Sequence, residues 1–367
     1  MAPPSDASAT VAWPAADAPS LAELGGWPAV LGVLTSGRDL TADQAGAALA
    51  DVLQGSATPA QIAGFCIALR MKGETVEEMT GLLRTMLAYA QPVTLPAGPA
   101  AVDTCGTGGD CSHSINVSTV AAFVVAGAGA RVCKHGNRAA SSACGSADVL
   151  AALGVAVDLG PDAVATCVEQ AGMGFCFAPR FHSALRHAGP TRRELGVATV
   201  FNFLGPLANP ARVRRQVLGV SDPAMAEKVV GVLAANGAER ALVVFGHDGL
   251  DELTTTTTST VHELRDGSVR TYTVDPNELG IPPAVPSALR GGDADRNAAF
   301  AREVLAGRPG PHRDIVLLNA AAGIVAAGLA DDLAEAMAAA ASAVDEGRAA
   351  TVLERLVASS QGQAAGG

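Results

Sequence analysis

The sequence predicts an α/β fold: a small all-helical domain beside a larger α/β domain with a mostly parallel central sheet flanked by helices. Three observations predict it. The first hundred of the 367 residues carry three helix-start boxes in close succession, and beyond them short β-type runs alternate with helical runs. Apolar residues make up 49% of the chain, enough for more than one core.

The elements follow in order. Residues 1–20, rich in Ala, Pro and Ser, are expected to be a disordered tail; no Lys or Arg precedes Arg38, so they do not resemble a signal peptide. A helical domain is expected over 21–95, joined by helices around 182–200. Thr41-Ala-Asp-Gln44, Thr58-Pro-Ala-Gln61 and Thr75-Val-Glu-Glu78 are capping boxes. In each a hydroxyl accepts from the first-turn amides and the Gln or Glu reaches back. Pro92 to Pro99 reads as a linker.

An α/β domain is expected over 100–360, with strands at Ala101–Asp103, Arg131–Lys134, Val155–Asp158, Gly174–Phe177, Gln216–Gly219 and Ala241–Phe245. Helices are expected at 119–128, 147–153, 161–171 and 224–236. The Thr254–Thr258 run reads as a further strand, Asp266-Gly267 as a hairpin turn, and Ala-rich helices close the chain from Asp293 to about Ala358. In such sheets the site is expected at the carboxyl ends of the strands.

Composition excludes some functions. With 25 Lys+Arg against 36 Asp+Glu the net charge is −11, and aromatics are only 4%, so neither a phosphate-neutralising coat nor a base-stacking surface is indicated. The apolar stretch Ile315–Ala330 is too short and too rich in Ala and Gly for a membrane span. Seven cysteines, an odd number with no C-x-x-C pair, suit a reducing compartment, and the cytoplasm is expected.

Chemistry concentrates in four places. Asp103-Thr-Cys-Gly106-Thr-Gly108-Gly109-Asp110 follows a strand, and its glycines let backbone amides approach an anion. Asn116-Val117-Ser118-Thr119 opens an apolar helix, offering hydroxyls at a helix N-terminus. Lys134-His135-Gly136-Asn137-Arg138-Ala139-Ala140-Ser141-Ser142, continuing through Cys144-Gly145-Ser146, places two cations and several hydroxyls in one strand-to-helix loop. Two such loops on consecutive strands imply a ligand with two phosphate centres. Asp248-Gly-Leu-Asp251-Glu252 follows another strand, and its adjacent carboxylates suit Mg²⁺ or a solvated acidic turn.

Together with Arg192-Arg-Glu-Leu-Gly196 and Phe201-Asn-Phe-Leu-Gly-Pro-Leu-Ala-Asn-Pro210, these motifs resemble the anthranilate phosphoribosyltransferase family over about residues 25–350. The resemblance implies a type III nucleoside-phosphorylase-like fold, usually a homodimer, and transfer of phosphoribose from phosphoribosyl pyrophosphate to the amine of anthranilate. It implies that Gly106, Gly109, Asp110, Ser114, Asn116, Val117, Ser118, Thr119, Lys134 to Ser142 and Ser146 contact phosphoribosyl pyrophosphate. Gly106, Asn137 and Arg192 would contact anthranilate, while Ser118, Asp251 and Glu252 would hold Mg²⁺. No residue is assigned as nucleophile or base.

Cys111 and Cys144 depart from the family's usual loop residues. With Cys105 they are expected to sit near Lys134, Arg138 and helix N-termini, surroundings that favour thiolate and reactivity. Two alternatives share some features: a pyrimidine nucleoside phosphorylase, which needs no pyrophosphate-bound Mg²⁺, and a related nucleic-acid-binding protein without transferase activity. Asp251-Glu252 and the 201–210 segment speak against the first, and the net charge of −11 against the second.

Overall fold

The computed structural model describes residues 19–110, 112–139 and 143–366. The chain begins with four helices: α1 (Gly26–Thr35), α2 (Ala42–Leu53), α3 (Pro59–Lys72) and α4 (Val76–Ala88). All three capping boxes form, with Thr41, Thr58 and Thr75 accepting from the N3 amides. Glu78 does more than cap. Buried at 0% exposure, it accepts from the Leu40 amide at 2.9 Å and pairs with Lys72 at 2.9 Å, tying three helix ends together.

The larger part is a seven-stranded sheet of β1 (Ala101–Gly106), β2 (Arg131–Gly136), β3 (Met173–Phe177), β4 (Arg215–Gly219), β5 (Arg240–Gly246), β6 (Ser259–Arg265) and β7 (Ser268–Val274). Its order is β3-β2-β1-β4-β5-β6-β7. The first five strands in that order run parallel, and β6 and β7 add an antiparallel hairpin at one edge. Asp266 and Gly267 form its turn with φ of 52° and 74°, the left-handed pair such a two-residue turn needs.

The helices between strands are α5 (Val117–Gly127), α6 (Ser146–Ala152), α7 (Pro161–Ala171), α8 (Ala178–Phe181), α9 (Gly189–Leu195), α10 (Val200–Leu207) and α11 (Pro223–Ala235). Four more close the chain: α12 (Ala294–Leu305), α13 (Pro311–Ala327), α14 (Leu333–Asp345) and α15 (Arg348–Gly366). One core lies under α5, α13 and α14 on one face of the sheet. A second joins α1–α4 to α10, α11 and the other face. Of the helices between β3 and β4, α9 and α10 therefore pack with the N-terminal ones.

Two expected strands are absent. Residues 155–158 lie outside the sheet because their backbone is engaged elsewhere: Val155 N donates to Leu150 O and Ala156 N to Ser360 Oγ, both at 3.0 Å. The Thr254–Thr258 run is irregular, since its hydroxyls bond locally. Thr254 Oγ1 donates to Asp248 Oδ2 at 2.7 Å and accepts from Thr256 N at 3.1 Å, an alternative to a strand ladder. The expected tail falls almost wholly outside the described residues.

Candidate active site

The strand order reverses between β1 and β4, and at such a reversal the carboxyl ends of the strands are where a sheet of this kind receives its ligand. The two strands end in register on Gly106 and Gly219. Asp251 lies across both ends. A Cβ on Gly106 would lie 2.3 Å from Asp251 Oδ2, and one on Gly219 would lie 1.5 Å from the Asp251 carbonyl oxygen. These glycines are required by close approach. Gly108 and Gly109 are required by backbone conformation, with φ of 66° and 82°.

The first loop folds around these carboxylates. Gly108 N donates to Asp251 Oδ2 at 2.7 Å, and Ser118 N donates to Glu252 Oε1 at 3.1 Å. Glu252 thus occupies the positive end of α5, where an anion is favoured. The Asp110 side chain also bonds to Asp251. Burial, then the Asp110 charge, pushes Asp251 up to about 7. Burial, then Asp251, pushes Glu252 up as well, against the pull of Lys134.

Lys134 is 1% exposed. Its Nζ donates to the Thr104 carbonyl and, at 3.3 Å, to Ser118 Oγ. The ammonium therefore sits between β1 and the start of α5. Carboxylates outnumber it, and a cation held by Asp251 and Glu252 would relieve that excess. Their hard oxygens with the Ser118 hydroxyl fit Mg²⁺. Among the described residues no three His, Cys, Asp or Glu side chains are grouped to hold a metal.

The second loop is built on Asp148. Its carboxylate accepts from Ala139 N at 2.9 Å and Gly145 N at 3.0 Å, and pairs with Arg138 at 2.7 Å. Ser146 Oγ donates to Asn137 O at 3.1 Å. Gly136 ends β2 where a Cβ would lie 2.2 Å from Ser146 Oγ. Ala140, Ser141, Ser142 and Cys111 lie outside the described residues. Val117 and Thr119 are buried in the first turn of α5, and Ser114 pairs with Arg290. Asn116 caps nothing: its Nδ2 donates to Cys144 O at 3.0 Å.

Arg192 belongs to a separate set of contacts. It lies on α9, and its guanidinium stacks over Phe201 of α10 at 5.0 Å. A buried polar layer draws in Asp103, His135 and Asn209, which the motifs include, and adds His182 and Gln216, which they do not. Asp103, wholly buried, accepts from His135 N at 3.1 Å and Asn209 Nδ2 at 2.8 Å. The His135 and His182 rings meet at a tilt of 58°, with centroids 5.2 Å apart. His182 Nε2 bonds Ala208 O at 2.8 Å, and Gln216 Nε2 donates to Pro206 O at 2.9 Å. Side chains of and beside the sheet thus satisfy carbonyls at the carboxyl end of α10. The signal was a polar residue inside each apolar strand: Asp103, His135 and Gln216.

The two described loop thiols, Cys105 and Cys144, are not activated. Cys105 points into the layer under α10, donating to Pro206 O at 3.6 Å and accepting from Gln216 Nε2 at 3.1 Å. Burial pushes its pKa well up, and Cys144 is pushed up to about 11 by the same cause. Cys66, Cys133, Cys167 and Cys176 are buried as well.

Comparison with known proteins agrees with this architecture. The family model described as "Glycosyl transferase family, a/b domain" matches residues 98–350, and "Glycosyl transferase family, helical bundle domain" matches 28–90. An anthranilate phosphoribosyltransferase of Rhodococcus jostii (strain RHA1) is 55% identical over 335 residues, 90% of this chain and 92% of the relative. The crystal structure of the Thermus thermophilus anthranilate phosphoribosyltransferase superposes with TM-score 0.86 at 41% identity, covering 90% of this chain and 99% of that one. The Saccharomyces cerevisiae enzyme in complex with PRPP and Mg gives TM-score 0.83 at 27% identity, covering 92% and 98%.

Proposed function

The chain belongs to the anthranilate phosphoribosyltransferases of the glycosyl transferase family, and we propose that it transfers phosphoribose from 5-phosphoribosyl 1-pyrophosphate to the amine of anthranilate in a Mg²⁺-dependent step. The products are N-(5-phosphoribosyl)anthranilate and pyrophosphate, in tryptophan biosynthesis. The carrying observation is that the first anion loop and the first turn of α5 both donate backbone amides to the Asp251-Glu252 pair at the strand reversal, with the buried Lys134 of β2 beside Ser118. A bond forms between the amine nitrogen and the anomeric carbon, the carbon–oxygen bond to pyrophosphate breaks, and the amine loses a proton.

Bound Mg²⁺, held by Asp251, Glu252 and Ser118, would supply charge neutralisation to the leaving pyrophosphate. Lys134 supplies a fixed positive charge beside Ser118 without reorganising, because it is buried and already held. The amides and hydroxyls of residues 106–119 and 134–146 orient the phosphates. Gly106, Asn137 and Arg192 receive anthranilate, with Arg192 taking the carboxylate. Stacking on Phe201 holds its guanidinium ready. The aromatic amine is neutral near pH 7 and needs no strong base, so catalysis is mainly positioning plus charge stabilisation of an oxocarbenium-like transition state.

A homodimer in the cytoplasm is the assembly we infer; Ile67 and Met71 leave an apolar face on α3, at 37% and 82% exposure. No helix among the described residues is long and apolar enough to cross a membrane. The relatives favour neither nucleoside phosphorolysis nor nucleic-acid binding. The test is loss of anthranilate fluorescence on adding phosphoribosyl pyrophosphate and Mg²⁺. Full activity in excess chelator would remove the metal from the mechanism, and phosphorolysis of thymidine or uridine at comparable rates would replace the substrate.

A further inference from the structure

A third segment, outside both glycine- and cation-rich motifs, backs the anion loops. Residues 289–292 run antiparallel to residues 113–115: Ile115 N donates to Leu289 O at 3.1 Å and Gly291 N to His113 O at 2.9 Å. Ser114 pairs with Arg290 between them. The chain then enters α12, and within its first turn comes Asn297, 3% exposed. Asn297 Oδ1 accepts from Gly292 N at 2.7 Å, and Nδ2 donates to Asn116 Oδ1 at 2.9 Å. The same side chain hydrogen-bonds the Cys144 thiol. Asn116 in turn donates to Cys144 O at 3.0 Å. One buried amide therefore ties the backing segment to both anion loops.

We propose that Asn297 is a positioning residue for phosphoribosyl pyrophosphate, holding the two anion loops at one fixed separation through Asn116 and Cys144. The inference deepens the reading above and rests on it. An amide presents an acceptor to Gly292 and a donor to Asn116, which fixes the orientation of the Asn116 amide. Asparagine at residue 116 sits at the N-cap of α5 yet makes no capping bond. Its side chain is committed to bridging. A ligand with two phosphate centres spans both loops and feels their separation directly, whereas anthranilate, though it meets Gly106 and Asn137, has its carboxylate anchor at Arg192, outside both loops.

Asn297→Asp separates this role from simple packing. The isosteric carboxylate keeps the Gly292 bond but turns a lone pair on Asn116 Oδ1. Asn116 must flip, and its oxygen then faces the Cys144 carbonyl. Steady-state kinetics of N297D are expected to show a ten- to hundred-fold rise in KM for phosphoribosyl pyrophosphate. The KM for anthranilate is expected to stay within threefold. An unchanged KM for phosphoribosyl pyrophosphate, or an equal rise for both substrates, overturns the proposal. Should N297D not fold, Gly291→Ala replaces it: its Cβ would lie 2.6 Å from Asn297 Oδ1 and 2.8 Å from Ser114 O. The same one-sided rise is expected, and its absence again overturns the proposal. A wild-type enzyme that leaves anthranilate unconsumed fails the functional reading instead. Asn297 is then judged by calorimetric binding of phosphoribosyl pyrophosphate to wild type and variant, with weaker binding by N297D expected and equal binding overturning the proposal.

Discussion

Asp251 roofs Gly219: a Cβ on the glycine would lie 1.5 Å from the aspartate's carbonyl oxygen. The contact is with backbone, so no rotamer change relieves it. Gly219→Ala must push the Asp251-Glu252 turn away from the ends of β1 and β4. Such overpacking costs about 1–3 kcal/mol or more. We expect kcat/KM to fall at least about a hundredfold, roughly 2.7 kcal/mol of barrier, and the Mg²⁺ needed for half-maximal rate to rise. Gly32→Ala, on α1 with nothing within 4 Å, is the control. It should leave activity unchanged and raise stability by up to about 1 kcal/mol. A fully active Gly219→Ala enzyme would show that the turn is not part of the site.

Arg192→Ala is expected to raise the KM for anthranilate far more than that for phosphoribosyl pyrophosphate. A charge-assisted bond to the carboxylate contributes about 1.5–3 kcal/mol, or one to two decades. Phe201→Leu, which removes the ring 5.0 Å beneath the guanidinium, should give a smaller rise in the same direction, up to about tenfold. The exposed neighbour Arg193 should matter little. Equal effects on both substrates would make Arg192 structural.

Local signals read most reliably in this sequence. Each capping box became a helix start because two hydrogen bonds close within one turn, whatever the rest of the chain does. That Gly106, Asp110, Ser118 and Lys134 cluster with Asp251 and Glu252 was legible from motifs placed after strands; their role toward phosphate belongs to the proposed function. What failed depended on distant partners. Residues 155–158 have strand composition, but Leu150 and Ser360 take their amides. Asn297 is an unremarkable polar residue in a helix until Asn116, 181 positions away in sequence, comes within 2.9 Å. Cys105 was expected to be activated beside the anion loops near Lys134, yet strand alternation turns it under α10.

The cysteines give a prediction opposite to the one their loop positions suggest. All six described thiols are buried, and burial raises the pKa of Cys66, Cys105, Cys144, Cys167 and Cys176. Since the thiolate is the nucleophile, these sites should alkylate at least about ten times more slowly in the folded enzyme than in denaturant. Peptide mapping after timed labelling checks this. Rapid native-state label on Cys105 or Cys144 would mean that the loops open readily. Cys111→Gly should remain active within about tenfold, roughly 1.4 kcal/mol of barrier.

His182 sets up the pH test. Burial holds it neutral, down to about 4, although its bond to the Ala208 carbonyl opposes the shift. His135 beside it is lower still, at about 3, through burial and then His182. The folded-state value lies below the unfolded 6.5, so the unfolded chain binds a proton that the native state refuses. This leaves stability untouched above about pH 6.5 and removes about 1.4 kcal/mol per pH unit per histidine below it, until the native value is reached. Asp103, pushed up to about 6, and Asp251 at about 7 act with opposite sign, as does Glu252. The wild-type slope therefore mixes both effects, and the difference between proteins isolates one. His182→Gln keeps a donor for Ala208 O but cannot titrate. With urea midpoints measured from pH 7.5 to 5, the stability of H182Q relative to wild type should rise below pH 6.5 by about 1.4 kcal/mol per unit. Parallel curves would mean that His182 is protonated in the native enzyme and that the end of α10 is open to water.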